Sequence, residues 1–172
     1  MNRLEQTHNR TEVLDKAHWS AVEEVIELFH EEHFYQAMRQ LHSILKVDPH
    51  NPYAYYFLGI AFYEVGELEA SRDAYMACLR VSPTHLGARV ALCHVLRSLG
   101  EWRSAIREGM EAFAQAPGDS DVLYALGLAY FGHGDGAAAQ KYLRAFLETY
   151  PELEVKLEVE VILKAMEESQ VE

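Results

Sequence analysis

An all-α solenoid of helix-turn-helix repeats is the fold class that the sequence predicts, and three observations lead to it. Four of the five prolines, Pro49, Pro83, Pro117 and Pro151, follow one another at intervals of 34 residues. Between them, apolar residues recur at helical spacing, and no segment alternates apolar and polar residues as a half-buried strand would. An amphipathic stretch follows the last of these prolines. A strict period of this length is typical of stacked helical hairpins.

The repeat becomes visible when the chain is laid out in the phase of these prolines. Four registers without insertion result: 18–51, 52–85, 86–119 and 120–153. Small residues dominate two of their columns. The eighth position holds Val25, Gly59, Cys93 and Gly127, and the twentieth holds Ala37, Ser71, Ala105 and Ala139. Small side chains there allow the two helices of a repeat to approach closely, while larger apolar residues fill the space between repeats.

Glycines and prolines predict where the helices end. Gly66, Gly100 and Gly134 lie between the two helical segments of their repeats. Glycine adopts the left-handed conformation that ends a helix without steric cost. The first repeat has Glu32 at the same place, a departure that is expected of a terminal repeat. Each closing proline stops the second helix, because the residue before a proline is pushed out of the helical region.

These columns resemble the tetratricopeptide repeat, whose unit of 34 residues is a pair of antiparallel helices with Leu-Gly, aromatic, small and closing proline positions. The resemblance covers residues 18–153. It implies a superhelix of helical hairpins that binds a protein or peptide and carries out no catalysis. It also implies that the first helix of each repeat lines a concave groove.

The two ends of the chain differ from the repeats. Residues 1–17 are expected to form an N-terminal segment that is partly disordered, since its first ten residues are polar. Residues 154–172 are expected to form a capping helix and an acidic tail. In that helix an apolar stripe recurs at helical spacing: Val155, Val159, Ile162 and Met166. Such a stripe would close the last repeat, and the alternative is that it docks another subunit in a homo-oligomer.

Composition limits the function classes. The net charge of −12 disfavours a nucleic-acid partner, because phosphate binding needs a basic surface. No apolar run is long enough to span a bilayer, and the N-terminus lacks the apolar centre of an export signal. We therefore expect no membrane insertion and a cytoplasmic location, although removal of an export signal would leave the same sequence. Cys78 and Cys93 fall on apolar helix faces, where a thiol behaves as a small hydrophobe.

Neither the nine histidines nor the glycine-rich stretch forms a pattern typical of catalysis or metal binding. His30 and His33 are three residues apart, but no cysteine or third histidine completes a tetrahedral metal site. The stretch 132–136 is glycine-rich, yet it lacks the preceding strand and the following lysine of a phosphate-binding loop. We therefore expect no enzyme, no cofactor and no metal.

The resemblance assigns candidate partner-binding residues to the second, fifth, ninth and twelfth positions of the repeats. They are mostly aromatic or apolar, with one permanently charged cation. The set is Trp19, Ile26, Phe29, Tyr53, Tyr56, Ile60, Tyr63, Val90, His94, Arg97, Tyr124, Leu128 and Phe131. Exposed apolar patches usually mark interaction surfaces, so we expect these residues to contact a protein or peptide segment. The alternative is that they mainly fill space between neighbouring first helices.

Three other functions are compatible with a repeat protein of this kind to different degrees. Arrays of this family that bind acidic C-termini of heat-shock proteins carry Lys and Asn side chains in the groove, whereas this chain has Val90 and His94 among the corresponding positions. That role is disfavoured. The small acidic chaperones of type III secretion are the closer alternative, because they share the size, the acidity and an apolar groove. A structural homo-oligomeric scaffold is the third.

Overall fold

A computed structural model describes residues 3–168, with side chains from Glu12 onward. In this range the chain forms nine helices and no strand. They are α1 (Arg3–His30), α2 (Phe34–Val47), α3 (Pro52–Glu64), α4 (Leu68–Val81), α5 (Leu86–Ser98), α6 (Trp102–Gln115), α7 (Ser120–His133), α8 (Gly136–Leu147) and α9 (Leu153–Glu168). The predicted all-α fold of eight repeat helices and one C-terminal helix is confirmed.

The first helices of the second, third and fourth repeats begin at capping residues that recur with the same period of 34. The Asn51 Oδ1 atom accepts from the Ala54 backbone N–H, and the Asp119 Oδ1 atom accepts from that of Val122, both at 3.1 Å. Between them in the sequence, His85 Nδ1 accepts from the Ala88 N–H at 3.1 Å. Each of these bonds satisfies a backbone donor that the first helical turn leaves without a partner.

The turns inside the repeats use the left-handed conformation that the sequence predicts. Gly66, Gly100 and Gly134 have φ of 80°, 75° and 86°. Glu32 takes the same place in the first repeat with φ of 57°, although its side chain makes this conformation unfavourable. The backbone path of the repeat therefore prevails over the local preference of the residue.

The residues before the closing prolines leave the helical region, as expected. The cap residues Asp48, Ser82 and Ala116 have φ between −131° and −143°. Tyr150 differs, because its φ is 57° and α8 ends at Leu147, three residues before it. The connection to α9 thus has a different backbone conformation from the connections between the repeats.

Small side chains pack where the two helices of a repeat meet. All four residues of the twentieth column, from Ala37 to Ala139, are fully buried. The Ser71 hydroxyl donates to the Gly59 carbonyl oxygen at 2.7 Å, so the two small columns contact each other directly. A Cβ atom at Gly59 would lie 2.5 Å from the Tyr75 ring, and one at Gly127 would lie 2.6 Å from a Leu143 methyl group. A larger residue at either position would have to displace the Tyr75 ring or the Leu143 side chain.

The chain divides into two compact units, one up to Ala88 and one from Arg89 onward. The core of unit 1 is built from α1, α2, α3 and α4, with Val22, Leu41 and Leu58 among its buried residues. A core of unit 2 is built from α7, α8 and α9, with Leu126 and Leu143 at its centre. In unit 2 a mostly buried ion pair, Arg89 with Glu108 at 2.8 Å, also joins α5 to α6.

Helix α1 begins upstream of the first repeat and runs through most of the N-terminal segment. Residues 1–17 were expected to be partly disordered. Residues 3–17 are helical, and residues 1 and 2 lie outside the described part of the chain. Two bonds tie this region to α3. The buried Asn51 amide donates to the His18 carbonyl oxygen at 2.9 Å, and the Tyr53 hydroxyl donates to Asp15 at 2.8 Å.

Helix α9 packs with the apolar stripe that the sequence identified. Val159 and Met166 are buried, and Val155 and Ile162 pack against the core of unit 2. The stripe therefore closes the core of its own chain, and the alternative that the same four residues dock another subunit is corrected. The acidic tail from residue 169 lies outside the described residues. None of the described helices combines the length and the apolar character that crossing a bilayer requires.

Candidate functional site

Unit 1 carries a row of aromatic side chains on its first helices. The Trp19 ring of α1 meets the Tyr53 ring of α3 edge-on, with 5.2 Å between centroids. Tyr53 in turn lies 5.9 Å from the His85 ring, and Tyr56 lies 4.9 Å from the same ring. These rings come together because residues 34 apart in adjacent repeats occupy equivalent helix positions. We name Trp19, Tyr53, Tyr56, Ile60 and Tyr63 the unit 1 aromatic surface.

The exposure of this surface varies along its length. Trp19 and Tyr63 are exposed, whereas Tyr53, Tyr56 and Ile60 are half-buried. Two further candidates on α1 behave differently. Ile26 is half-buried, and Phe29 packs between Phe34 and Phe57 with centroid distances of 5.9 and 5.5 Å. Phe29 is therefore half-buried and packs against the core of unit 1.

Polar groups fix the orientation of these rings. Burial, followed by the hydrogen bond to Asp15, raises the pKa of Tyr53 to about 12, so its hydroxyl stays a donor at neutral pH. Burial also lowers the pKa of His85, which keeps the ring neutral and lets Nδ1 accept the helix-capping bond. The surface thus presents uncharged aromatic groups under physiological conditions.

Unit 2 carries a second set of candidate residues, centred on His94 and Tyr124. Their rings lie 6.0 Å apart, and Tyr124 lies 5.0 Å from Phe146 of α8. The Tyr124 hydroxyl donates to Glu158 of α9 at 3.3 Å. Burial, followed by the nearby charge of Arg97, lowers the pKa of His94 to about 4. His94 is therefore neutral at physiological pH.

Arg97 is the cation of this second set. Its side chain is half-buried, and its Nε atom is buried without a hydrogen-bond partner among the described residues. The guanidinium is close enough to His94, Cys93 and Tyr124 to influence the pKa of each. Buried polar groups normally have partners, so a guanidinium in this situation favours an incoming acceptor.

The remaining predicted residues of unit 2 differ in their exposure to solvent. Phe131 is exposed and Val90 is half-buried, so both are accessible to a partner. Leu128 is a correction, because it is buried in the core with Leu126 and Leu143 and offers no surface to bind. The sequence pattern gave no information about how deeply the ninth position of this repeat is covered.

Two residues of the unit 1 site were not predicted from the sequence. His85 falls in the last column of its repeat, where the recurring capping residues Asn51 and Asp119 could have revealed it. Asp15 lies in the segment that was expected to be partly disordered, and no pattern in the sequence links it to Tyr53.

Burial raises the pKa of Cys78 and of Cys93 to about 12, which disfavours the reactive thiolate at both. His33 contacts Glu31 at 3.1 Å, and the two residues are exposed at a turn. Within the described part of the chain, no group of three or more His, Cys, Asp or Glu side chains is placed to hold a metal ion.

Sequence comparison with protein families identifies the repeats. Two family models, both described as tetratricopeptide repeat, match residues 23–83 and 121–152, together more than half of the chain. The chain belongs to the tetratricopeptide repeat family. No curated protein resembles it significantly in sequence.

Solved structures of tetratricopeptide repeat fold resemble the chain over most of its length. MamA from Desulfovibrio magneticus RS-1 superposes with a TM-score of 0.74 at 20% identity, covering 90% of this chain and 89% of that one. PilF from Pseudomonas aeruginosa gives 0.77 at 21% identity, covering 90% and 71%. A thermophilic tetratricopeptide repeat protein from Thermus thermophilus gives 0.68 at 18%, covering 89% and 82%. At these identities the likeness establishes the fold alone.

Membership of the tetratricopeptide repeat family assigns the chain a general function. Proteins of this family are interaction modules and are generally not enzymes. The chain is therefore a protein–protein interaction module.

Proposed function

We propose that the unit 1 aromatic surface binds an extended or helical protein segment through apolar and aromatic contacts. The observation that carries the proposal is the row of rings formed by Trp19, Tyr53 and His85. Trp19, on α1, is exposed. Tryptophan and tyrosine dominate the energetics of many protein interfaces, because they bury a large area and keep one polar group.

The contacts within the row also reduce the cost of binding. The Trp19, Tyr53 and Tyr56 rings each touch at least one other aromatic ring, and the Tyr53 hydroxyl is held by Asp15. A side chain that is already ordered loses little rotamer entropy when a partner covers it. Most of the apolar area that becomes buried can therefore contribute to affinity.

In unit 2, the proposal extends to Arg97, which would pair with an acidic group of a partner. The buried Nε atom has no partner among the described residues, and the neighbouring His94 is neutral. A carboxylate can accept two parallel bonds from a guanidinium, and the side chain of Arg97 is only half-buried. Phe131 and Val90 would supply the apolar contacts beside it.

Site-specific photocrosslinking tests the proposal on the intact protein. Replacement of Tyr63 by the photoreactive benzoylphenylalanine places a probe on the unit 1 aromatic surface. The same replacement at Tyr35, an exposed residue of α2, provides the matched control. In extract of the native host, the probe at position 63 should capture a defined protein that the probe at position 35 does not. Equal capture at both positions, or capture only at position 35, would refute the proposed surface.

The finer alternatives from the sequence stay predictions. A type III secretion chaperone and a homo-oligomeric scaffold would both use the same first-helix residues. The cytoplasmic location and the absence of a nucleic-acid partner are likewise predictions. The crosslinked species distinguishes the chaperone from the scaffold, because a captured second copy of this chain would indicate the scaffold.

A further inference from the structure

Helix α9 has a second apolar stripe that the described residues leave uncovered. Leu153, Leu157 and Val161 recur at intervals of four residues and are 69%, 52% and 68% exposed. They lie on the face of the helix opposite Val159, which is fully buried. Contiguous exposed apolar residues usually mark an interaction surface, so these three residues in one line call for a partner.

The geometry of the stripe suits a helix as its occupant. Residues at i, i+4 and i+8 form a ridge on the surface of a helix, and such ridges pack into the grooves of another helix. The ridge from Leu153 to Val161 is about 12 Å long, given a rise of ~1.5 Å per residue. A partner helix of two to three turns would cover it.

The charges beside the stripe indicate the chemistry of that helix. Helix α9 contains five glutamates and two lysines. Both lysines already face acids of their own helix, Lys156 with Glu160 at 3.7 Å and Lys164 with Glu168 at 3.9 Å. Glu154 lies beside the stripe, is exposed, and makes no ion pair among the described residues. With five glutamates against two lysines, the rim is acidic. Glu158 already accepts from Tyr124 and Glu167 already pairs with Arg144, so Glu154 is the carboxylate that is available to a positive charge among the described residues.

We propose that the stripe formed by Leu153, Leu157 and Val161 docks a basic amphipathic helix of another protein. The apolar face of that helix would cover the stripe, and its Lys or Arg residues would lie along the acidic rim. A second copy of this chain fits less well, because two copies of α9 would bring two acidic rims together. The surface is distinct from the first-helix surfaces, so the proposal stands independently of the function proposed above.

The test is a selection of helical peptides against the full chain. A displayed library of peptides about 16 residues long, the length of α9 itself, is selected for binding, and enriched peptides are measured by fluorescence anisotropy. The variant Val161→Glu places a charge on the stripe. Val47→Glu makes the same change at an exposed residue of α2 and serves as the matched control. Circular dichroism checks that both variants keep their helical content.

The proposal predicts enriched peptides with a helical apolar period and net positive charge. Their affinity should fall at least about tenfold for Val161→Glu and stay within about twofold for Val47→Glu. The change Glu154→Lys should also weaken binding, because it reverses a charge on the rim. Enrichment of acidic or non-helical peptides, no enrichment, or equal affinity for both valine variants would overturn the proposal. A wild-type dimer in light scattering that Val161→Glu converts to a monomer would identify a second copy as the occupant and also overturn it.

Discussion

Small side chains at the eighth and twentieth positions of each repeat determine how closely its two helices pack. The structure places Ala105 and Ala139 at fully buried contacts, as the column pattern predicts. Ser71 and Gly59 show the same contact in the second repeat, through a direct hydrogen bond. These positions have no room for extra atoms, so their tolerance to substitution tests the assignment.

Replacement of Ala105 or Ala139 by leucine should lower the free energy of unfolding by about 1–3 kcal/mol, the usual cost of overpacking. Arg107→Ala is the control, since this side chain is exposed on α6 and pairs with the adjacent Glu108. It should change stability by no more than about 0.5 kcal/mol. Urea denaturation followed by circular dichroism measures each value. Equal effects at the buried and exposed sites would show that the column assignment is wrong.

The turn of the first repeat offers a stabilising change. Glu32 has φ of 57°, which costs a residue with a side chain roughly 1–2 kcal/mol relative to the right-handed conformation. Glu32→Gly should therefore raise the free energy of unfolding by about 0.5–1 kcal/mol, after allowance for the greater freedom of glycine in the unfolded chain. The neighbouring change Glu31→Gly should give no such gain. A loss of stability on Glu32→Gly would contradict the argument.

His94 makes stability depend on pH in a defined direction. Burial, with a contribution from Arg97, lowers its pKa from 6.5 to about 4 in the folded chain. As the pH falls from 6.5 to about 4, the unfolded chain binds a proton at this residue while the folded chain does not. His94 therefore does not reduce the free energy of unfolding above pH 6.5, and this free energy falls as the pH falls through the window. His94→Gln should therefore show a smaller decrease in unfolding free energy across the same window, and an unchanged slope would count against the assignment.

At the level of helices, α9 is the element in which two apolar faces serve different purposes. The face with Val159 completes the core of unit 2, whereas the face with Val161 stays exposed. The same residue type two positions apart thus allows a matched comparison within one helix.

Val159→Ala should destabilise the protein by about 1–3 kcal/mol, because it removes two buried methyl groups and leaves a cavity. Val161→Ala should stay within about 0.5 kcal/mol of wild type, or stabilise slightly, since alanine favours the helix. Thermal unfolding of both variants under identical conditions provides the comparison. If the two variants melted alike, α9 would not pack as described.

The helices also show how far sequence analysis can reach. Glycines and prolines predicted the helix ends within the repeats, because each has a backbone preference that the repeat needs. Periodicity predicted which face of α9 packs inward, but it assigned no role to Leu153, Leu157 and Val161. It likewise placed Leu128 on a binding face, although the structure buries it. Periodicity identifies the direction of a side chain on its helix, whereas burial depends on how much neighbouring structure covers it.

For the molecule as a whole, the period of 34 residues was sufficient to predict the fold class and its family. In such an array each repeat makes the same kind of contacts with its neighbours. A wrong prediction at one residue therefore does not change the prediction for the other repeats. Interactions outside the period were not predictable. The bond between Tyr53 and Asp15 joins a repeat to the extension of α1, which has no equivalent in the other repeats. The partner is likewise undetermined by the repeat, because the residues at the second, fifth and twelfth positions differ from one repeat to the next.

The central claim is that the first helices of unit 1 bind a protein segment through their exposed aromatic residues. Calorimetric affinity for the partner identified by crosslinking tests it most directly. The double change Trp19→Ala, Tyr63→Ala suits the measurement better than a change at Tyr56, whose ring also packs against Phe57 and Tyr75.

Trp19 and Tyr63 are 39% and 41% exposed, so the double variant should keep its helical content. Thermal unfolding measures the stability lost with the contacts of Trp19 to Tyr53 and Phe57. The affinity of the double variant should fall by about 2 kcal/mol or more, as expected when aromatic anchors are removed from an interface. The control Tyr35→Ala should bind as wild type does. An unchanged affinity in the folded double variant would contradict the account and would place the binding surface elsewhere on the chain.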